Sequence, residues 1–95
     1  MANYHAGRRK EYATQRVLEA AGYETIRAAS SKGVVDVVAF RRGDVRLISV
    51  KSGSARPTAV EREGLEHLAK FALGGYSVEL WRWPKGAREP LVTVF

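Results

Sequence analysis

The chain has 95 residues with no cysteine, two histidines, and 16 Lys and Arg against 10 Asp and Glu, a formal net charge of +6. The missing cysteines exclude a disulfide framework, and two histidines at positions 5 and 67 are too few and too far apart for a zinc motif. No run approaches the ~18 apolar residues that a membrane span requires, and no signal-peptide hydrophobic region follows the first residues. We therefore expect one domain, residues 1–95, located in the cytoplasm and not in a membrane.

Hydrophobic periodicity and turn residues predict seven elements in the order αβββαββ. The first helix ends at Gly22, a hairpin turns at residues 41–44, and Thr58-Ala59-Val60-Glu61 has the form of a capping box at the start of the second helix. Residues 1–7 are expected to form a flexible tail. The predicted elements cover residues 8–21, 24–29, 34–40, 45–51, 57–73, 77–83 and 91–95.

The excess positive charge lies in the first 56 residues, which hold eleven Lys and Arg against five Asp and Glu, whereas the remaining residues hold five of each. Such an imbalance favours a polyanionic partner, because neutralising phosphates releases counterions. Arg8, Arg9 and Lys10 lie at the predicted start of the first helix, where free backbone N–H groups also attract phosphate. We expect this triplet, together with Arg56, to contact a nucleic-acid backbone; a solvated basic face is the alternative.

The register of the predicted hairpin brings polar residues together at one end. With residues 41–44 as the turn, Asp36 lies opposite Ser49, with Cβ atoms ~5 Å apart, and Lys51 shares their face. An Asp and a Lys on a largely apolar hairpin are costly unless they form a structural ion pair or serve a function. A carboxylate can hold Mg²⁺ with waters and a phosphate, and an ammonium can orient a nucleophilic water, so the functional alternative is phosphodiester hydrolysis.

Four features of the chain occur in the order of one known nuclease motif: Glu11 in the first helix, the strand-loop segment 27–33, Asp36, and Ser49-Val50-Lys51. With these features the sequence, from residue 7 to about 83, resembles the archaeal-type Holliday junction resolvases of the PD-(D/E)XK nuclease superfamily. The resemblance implies an α/β fold with a restriction-endonuclease-like core, in which helices flank a central mixed β-sheet.

The resemblance also implies an activity and roles for single residues. It implies a divalent-metal-dependent endonuclease that cuts four-way DNA junctions as a homodimer, with Mg²⁺ as the metal and Mn²⁺ as a substitute. In such enzymes the aspartate matching Asp36 binds the metal and the glutamate matching Glu11 supports it. The backbone carbonyl of Val50 would be a further ligand, and the lysine matching Lys51 would assist the attacking water.

The loop Ser30-Ser31-Lys32 would contact the DNA, with the serine matching Ser31 close to the scissile phosphate. Ser49 would be the remaining catalytic and metal-binding position, but it departs from the family, which has a carboxylate there. A hydroxyl is neutral and a poor Mg²⁺ ligand, so the site loses one negative charge. Our hypothesis is that Glu11 and Asp36 still suffice to hold a metal.

Three alternatives follow from the same residues. The substitution at Ser49 is compatible with a nucleic-acid-binding module that keeps the nuclease fold without catalysis. A nuclease of the same superfamily can also act on flaps, single strands or duplex DNA. A small basic RNA-binding protein is the third alternative, but it gives no reason for Asp36 and Lys51 to share a face.

Overall fold

The computed structural model describes residues 2–28 and 33–95, and for residues 2–7 it describes the backbone. Within these ranges the elements are α1 Ala2–Ala20, β1 Glu24–Arg27, β2 Val37–Arg41, β3 Asp44–Ser52, α2 Ala59–Lys70, β4 Ser77–Trp83 and β5 Leu91–Val94. The strands form one sheet in the order β1-β2-β3-β4-β5. Strands β3 and β4 run parallel and all other neighbours run antiparallel, which confirms the predicted mixed sheet and the element order.

The central hairpin has the predicted register and a tighter turn than predicted. Phe40 pairs with Val45, but the ladder continues for one more pair, so that the turn consists of Arg42-Gly43 instead of residues 41–44. Gly43, the second residue of the turn, has a φ of +79°, in the left-handed region that glycine adopts without a steric penalty. The register fixes which hairpin residues face each helix.

Helix α1 packs against one face of the sheet, where the core is built from buried side chains: Leu18, Tyr23, Val37, Ala39, Ile48, Val50, Trp81 and Trp83. The indole of Trp83 donates to the Thr14 hydroxyl at 2.9 Å, and that hydroxyl donates to the Lys10 carbonyl at 2.8 Å. Buried indoles need such a partner. Trp81 and Trp83 are therefore core residues and are not exposed platforms for stacking on bases.

The first helix begins earlier than predicted. Helix α1 starts at Ala2, so the predicted boundary between a tail and a helix at Arg8 is wrong. Arg8, Arg9 and Lys10 lie beyond the first turn, where backbone N–H groups donate to carbonyls of the preceding turn. The triplet therefore offers a phosphate only its side-chain charges and not the free N–H groups of a helix start.

Helix α2 packs on the other face of the sheet, near β4. The predicted capping box is confirmed: the Glu61 N–H donates to the Thr58 hydroxyl at 3.1 Å, and the Glu61 carboxylate accepts from the Thr58 N–H at 2.9 Å. A Cβ on Gly64 would lie 3.1 Å from the Val34 side chain, so the missing side chain permits close approach to the segment that precedes Asp36. The helix is thus anchored beside that segment.

The end of α2 and the cover it provides differ from the sequence prediction. The helix ends at Lys70, three residues early, because Leu73 and Gly74 adopt left-handed φ values of 44° and 81°. Within α2 only Leu65 is buried, whereas Val60, and Phe71 directly after the helix, are exposed. Helix α2 therefore covers only part of its side of the sheet. Neither described helix is long and apolar enough to cross a membrane.

Candidate active site

Asp36 is held in place from both sides immediately before β2. Its N–H donates to the Ile48 carbonyl at 2.8 Å, and its carbonyl accepts from the Ala28 N–H at 2.9 Å, so its backbone is tied to β3 and to the end of β1. The side-chain Oδ2 accepts from the Val50 N–H at 2.8 Å. No hydrogen bond from the described residues reaches Oδ1. One carboxylate oxygen is thus fixed by the sheet, and no described residue holds the other.

Glu11 is a second carboxylate close to Asp36. It projects from α1, and its Oε1 lies 3.6 Å from the Nε of Arg27 on β1. Burial and then the charge of Asp36 raise the pKa of Glu11, although Arg27 and Arg8 lower it. Burial and, as a smaller cause, the charge of Glu61 raise the pKa of Asp36, whereas the Val50 hydrogen bond and the Lys51 charge lower it. Asp36 thus disfavours the ionised form of Glu11, and two partly buried carboxylates with raised pKa values are typical of a functional site.

Lys51 projects from β3 on the α2 side of the sheet. Its Nζ lies 2.8 Å from the Glu61 Oε2, and no ion pair joins it to Asp36 among the described residues. The structural ion pair that the sequence left open, between Asp36 and Lys51, is therefore absent from the described part of the chain. The charge of Lys51 nevertheless lowers the pKa of Asp36, which places the ammonium within electrostatic reach of the carboxylate. Sequence reasoning assigned Glu61 to the capping box alone and missed this contact.

Ser49 lies just beyond the last paired residues of the β2–β3 ladder, and its side chain is buried. The β2–β3 ladder stops at the Val37–Ile48 pair, and the Asp36 carboxylate bonds to the Val50 N–H instead of facing Ser49. Ser49 is 2% exposed and lies next to Leu80 in the parallel register. The metal-binding and catalytic role of Ser49 stays a prediction, for a hydroxyl that is buried in the sheet interior.

A cationic cleft opens next to Lys51. It has a volume of about 970 Å³ and is lined by these residues: Arg9, Lys10, Val50, Lys51, Ser52, Gly53, Ser54, Ala55, Trp83, Lys85 and Gly86. Four of them are cations and none is a carboxylate. Arg9 and Lys10 thus face the cleft, as two of the three triplet residues predicted to contact a nucleic acid. Lys85, from the turn after β4, is a further cation that sequence reasoning missed.

The sequence singled out five other residues for contact with DNA: Arg8, Ser30, Ser31, Lys32 and Arg56. Ser30, Ser31 and Lys32 are outside the described residues. Arg56 is exposed and lies outside the lining of the cleft. Arg8 acts on the site electrostatically, because its charge lowers the pKa of Glu11.

The donor set fits a hard divalent cation. Carboxylate and carbonyl oxygens are the ligands that Mg²⁺ prefers, and it usually takes one or two carboxylates while keeping several waters. In the described residues no three His, Asp or Glu side chains form a metal-binding cluster. Glu11, Asp36 and the Val50 carbonyl are oxygen donors of the kind that such a cation takes.

Comparisons with known proteins bear on the family and the fold of the chain. The family profile of the archaeal Holliday junction resolvases, Hjc, matches residues 2–87. The crossover junction endodeoxyribonuclease Hjc of Methanocaldococcus jannaschii is 36% identical over 69 residues, which cover 73% of this chain and 51% of that protein. The chain thus spans about half the length of this curated relative. The structure of Archaeoglobus fulgidus Hjc, a Holliday junction resolvase, is 25% identical, with a TM-score of 0.69, over 94% of this chain and 70% of that one.

Proposed function

Because the chain belongs to the archaeal Holliday junction resolvase family, we propose that it is a metal-dependent DNA endonuclease that resolves four-way junctions by symmetric phosphodiester hydrolysis. The observation that carries the proposal is the position of Asp36. It is tied to β1 and β3, lies within electrostatic reach of Glu11 and Lys51, and Lys51 also lines the cationic cleft. With DNA as the substrate, we place the activity in the cytoplasm.

Glu11, Asp36 and the Val50 carbonyl would hold the metal, which we propose to be Mg²⁺, with Mn²⁺ as a substitute. When bound, the ion polarises the phosphoryl group and lowers the pKa of a bound water. Asp36 offers Oδ1 as a ligand while the Val50 N–H holds Oδ2 in place. Lys51 provides an ammonium that stabilises charge developing on the phosphate or orients the attacking water.

The cleft supplies the contact with the DNA backbone. Phosphate contacts of this kind position a nucleic acid without reading its sequence, which suits a substrate recognised by its branching. Replacing Lys85 with Ala is expected to weaken junction binding and to reduce the slope of log Kd against log salt by about 0.9, the value for one lost phosphate contact. Arg88→Ala is the matched control, because Arg88 is an exposed cation of the same turn region and does not line the cleft. Equal slopes for Lys85→Ala and the unmodified protein would contradict the DNA-binding role of the cleft.

We also propose that the protein acts as a homodimer, since two strands must be cut in one junction. Exposed apolar side chains are concentrated on α2, the segment after it and β5: Val60, Phe71, Leu73, Leu91, Val92 and Val94. The Arg62 guanidinium lies 5.8 Å from the Phe95 ring centroid, so α2 and the end of β5 adjoin. Strand β5 also has an unpaired edge in the described sheet. A second copy of the chain would cover these apolar groups.

Replacing Val94 with Lys tests this surface. A charge in a buried interface is expected to weaken dimerisation at least about tenfold, or ~1.4 kcal/mol. Ile26→Lys is the matched control, because Ile26 is equally apolar and exposed but lies on β1, at the opposite edge of the sheet. Sedimentation equilibrium at several concentrations gives the dissociation constants. A monomeric unmodified protein, or equal weakening by both variants, would refute this interface.

The buried, neutral Ser49 favours a second candidate function, a junction-binding module without catalysis. One experiment separates the two candidates and also tests the substrate. A labelled four-way junction, a flap, a duplex and a single strand are incubated with the protein in Mg²⁺ and then in Mn²⁺. Cleavage of the junction alone supports the resolvase, and cleavage of the other substrates indicates a nuclease of different selectivity. Tight junction binding with no cleavage in either metal indicates the binding module.

A further inference from the structure

The carboxylate of Glu61 makes two contacts, one with each oxygen. Its Oε1 accepts from the Thr58 N–H at 2.9 Å and completes the capping box of α2. Its Oε2 lies 2.8 Å from the Lys51 Nζ. The hydrogen bonds from Lys51 and Thr58 outweigh burial and lower the pKa of Glu61, so this carboxylate is ionised at neutral pH. The start of α2 and the Lys51 ammonium are thus joined through one side chain.

Lys51 needs such a partner because of its neighbours on the sheet. Strand β3 carries no carboxylate after Asp44, which lies at the far end of the strand. In the parallel register Arg82 of β4 lies directly beside Lys51, and the Arg82 Nε is buried without a hydrogen-bond partner among the described residues. Arg82 and Lys51 are both cations and repel each other, so Arg82 cannot be the partner of Lys51. The Asp36 carboxylate accepts from the Val50 N–H through Oδ2. The described carboxylate that contacts the ammonium directly is therefore on the helix and not on the strand.

We propose that Glu61 is a positioning residue, whose carboxylate is held by the Thr58 backbone N–H and in turn holds the Lys51 ammonium near Asp36. The Thr58 backbone N–H fixes the carboxylate through Oε1, and this contact does not involve the Thr58 side chain. The fixed carboxylate then fixes the otherwise flexible lysine side chain. The inference rests on the proposed nuclease function and adds to it a residue that acts through Lys51.

Two variants separate positioning of Lys51 from helix capping. In Glu61→Gln the amide has one carbonyl oxygen, which can accept from Thr58 or from Lys51 but not from both, and the NH₂ group then faces the other donor. Glutamine is itself a capping-box residue, so the variant keeps the cap and loses the Lys51 contact. Thr58→Ala removes the hydroxyl that caps Glu61 but leaves the carboxylate and Lys51 in place.

The readouts are the single-turnover rate of junction cleavage and the junction Kd. Glu61→Gln is expected to lower the rate about 10–100-fold, as the loss of a side chain that orients an active-site group does, and to change the Kd less than about twofold. Thr58→Ala is expected to stay within about threefold of the unmodified protein in both quantities. A normal rate in Glu61→Gln, or an equal loss in Thr58→Ala, overturns the inference while the nuclease function stands.

A second measurement does not depend on cleavage. Nitrogen-15 spectra of lysine ammonium groups, with Lys51 assigned from Lys51→Arg, report whether the ammonium is held in an ion pair. We expect the Lys51 signal to be present in the unmodified protein and in Thr58→Ala. In Glu61→Gln we expect it to be shifted or broadened. An unchanged Lys51 signal in Glu61→Gln overturns the inference, whether or not the protein cuts junctions. A failure to cut junctions, by itself, would refute only the proposed function.

Discussion

We expect the Asp36→Asn variant to be at least as stable as the unmodified protein at pH 7 and to cut junctions at least about a hundredfold more slowly. Burial raises the pKa of Asp36, so the ionised carboxylate costs stability, and asparagine removes that charge. The asparagine oxygen can still accept from the Val50 N–H. The loss of rate reflects the several kcal/mol of charge stabilisation that a metal ligand supports, at about 1.4 kcal/mol per tenfold.

Urea unfolding in metal-free buffer and cleavage of a labelled junction check both halves of this prediction. The sign of the stability difference depends on pH. As the pH falls through the raised pKa of Asp36, the folded protein takes up the proton first, so the advantage of asparagine is present above that pKa and disappears below it. A variant that is less stable by more than about 1 kcal/mol at pH 7 would make Asp36 a structural residue.

The largest loss of stability is expected for Glu79→Ala. Glu79 is 3% exposed, and its carboxylate accepts from the Arg46 Nε and Nη2 at 2.8 and 2.7 Å. Ser77 and the Trp81 indole donate to it as well, at 2.7 and 2.9 Å. Removing one partner of a buried ion pair leaves the other uncompensated, and we expect a loss of about 3 kcal/mol in the free energy of unfolding. Glu63→Ala, at an exposed position on α2, is the matched control and should change it by less than about 0.5 kcal/mol.

The same variant should change the acid limb of the stability curve. Burial raises the pKa of Glu79, but the hydrogen bonds from Arg46, Ser77 and Trp81 outweigh it and lower the pKa below the ordinary 4.5. As the pH falls, the unfolded chain therefore takes up this proton first, and the stability from Glu79 is lost between pH 4.5 and its folded pKa. Urea unfolding of Glu79→Ala between about pH 5 and 3 should show a shallower decline. Parallel curves would contradict the assigned direction.

The sequence predicted the parts of the site that depend on local pattern. Strand periodicity and a glycine turn set the register of β2 and β3. Side-chain alternation in this register puts Val37 and Ile48 on the buried face and Lys51 on the opposite face. The capping box at Thr58 was also predictable, since it involves residues three apart. The start of α1 could not be predicted, because residues 2–7 lack the apolar periodicity that marks a helix. The helix nevertheless begins at Ala2.

Contacts between elements that are distant in the chain could not be predicted from the sequence. The Lys51–Glu61 contact depends on where α2 settles on the sheet, which follows in part from the close approach of Gly64 to Val34. Lys85 joins the cleft only because β4 runs parallel to β3 and its turn ends beside Lys51. A register argument placed Ser49 opposite Asp36, but it does not give the burial of that hydroxyl, which packing of the whole sheet determines.

The most direct test of the central claim is to map the cuts in a four-way junction labelled on each strand, in Mg²⁺ and Mn²⁺, for the unmodified protein and Asp36→Asn. We predict paired cuts at symmetric positions in two opposing strands of the junction. We expect no such cuts in a duplex of the same sequence, and none in the junction with Asp36→Asn. Cleavage that persists in Asp36→Asn would contradict the assigned active site. Binding of the junction without any cut in either metal would contradict the nuclease function itself.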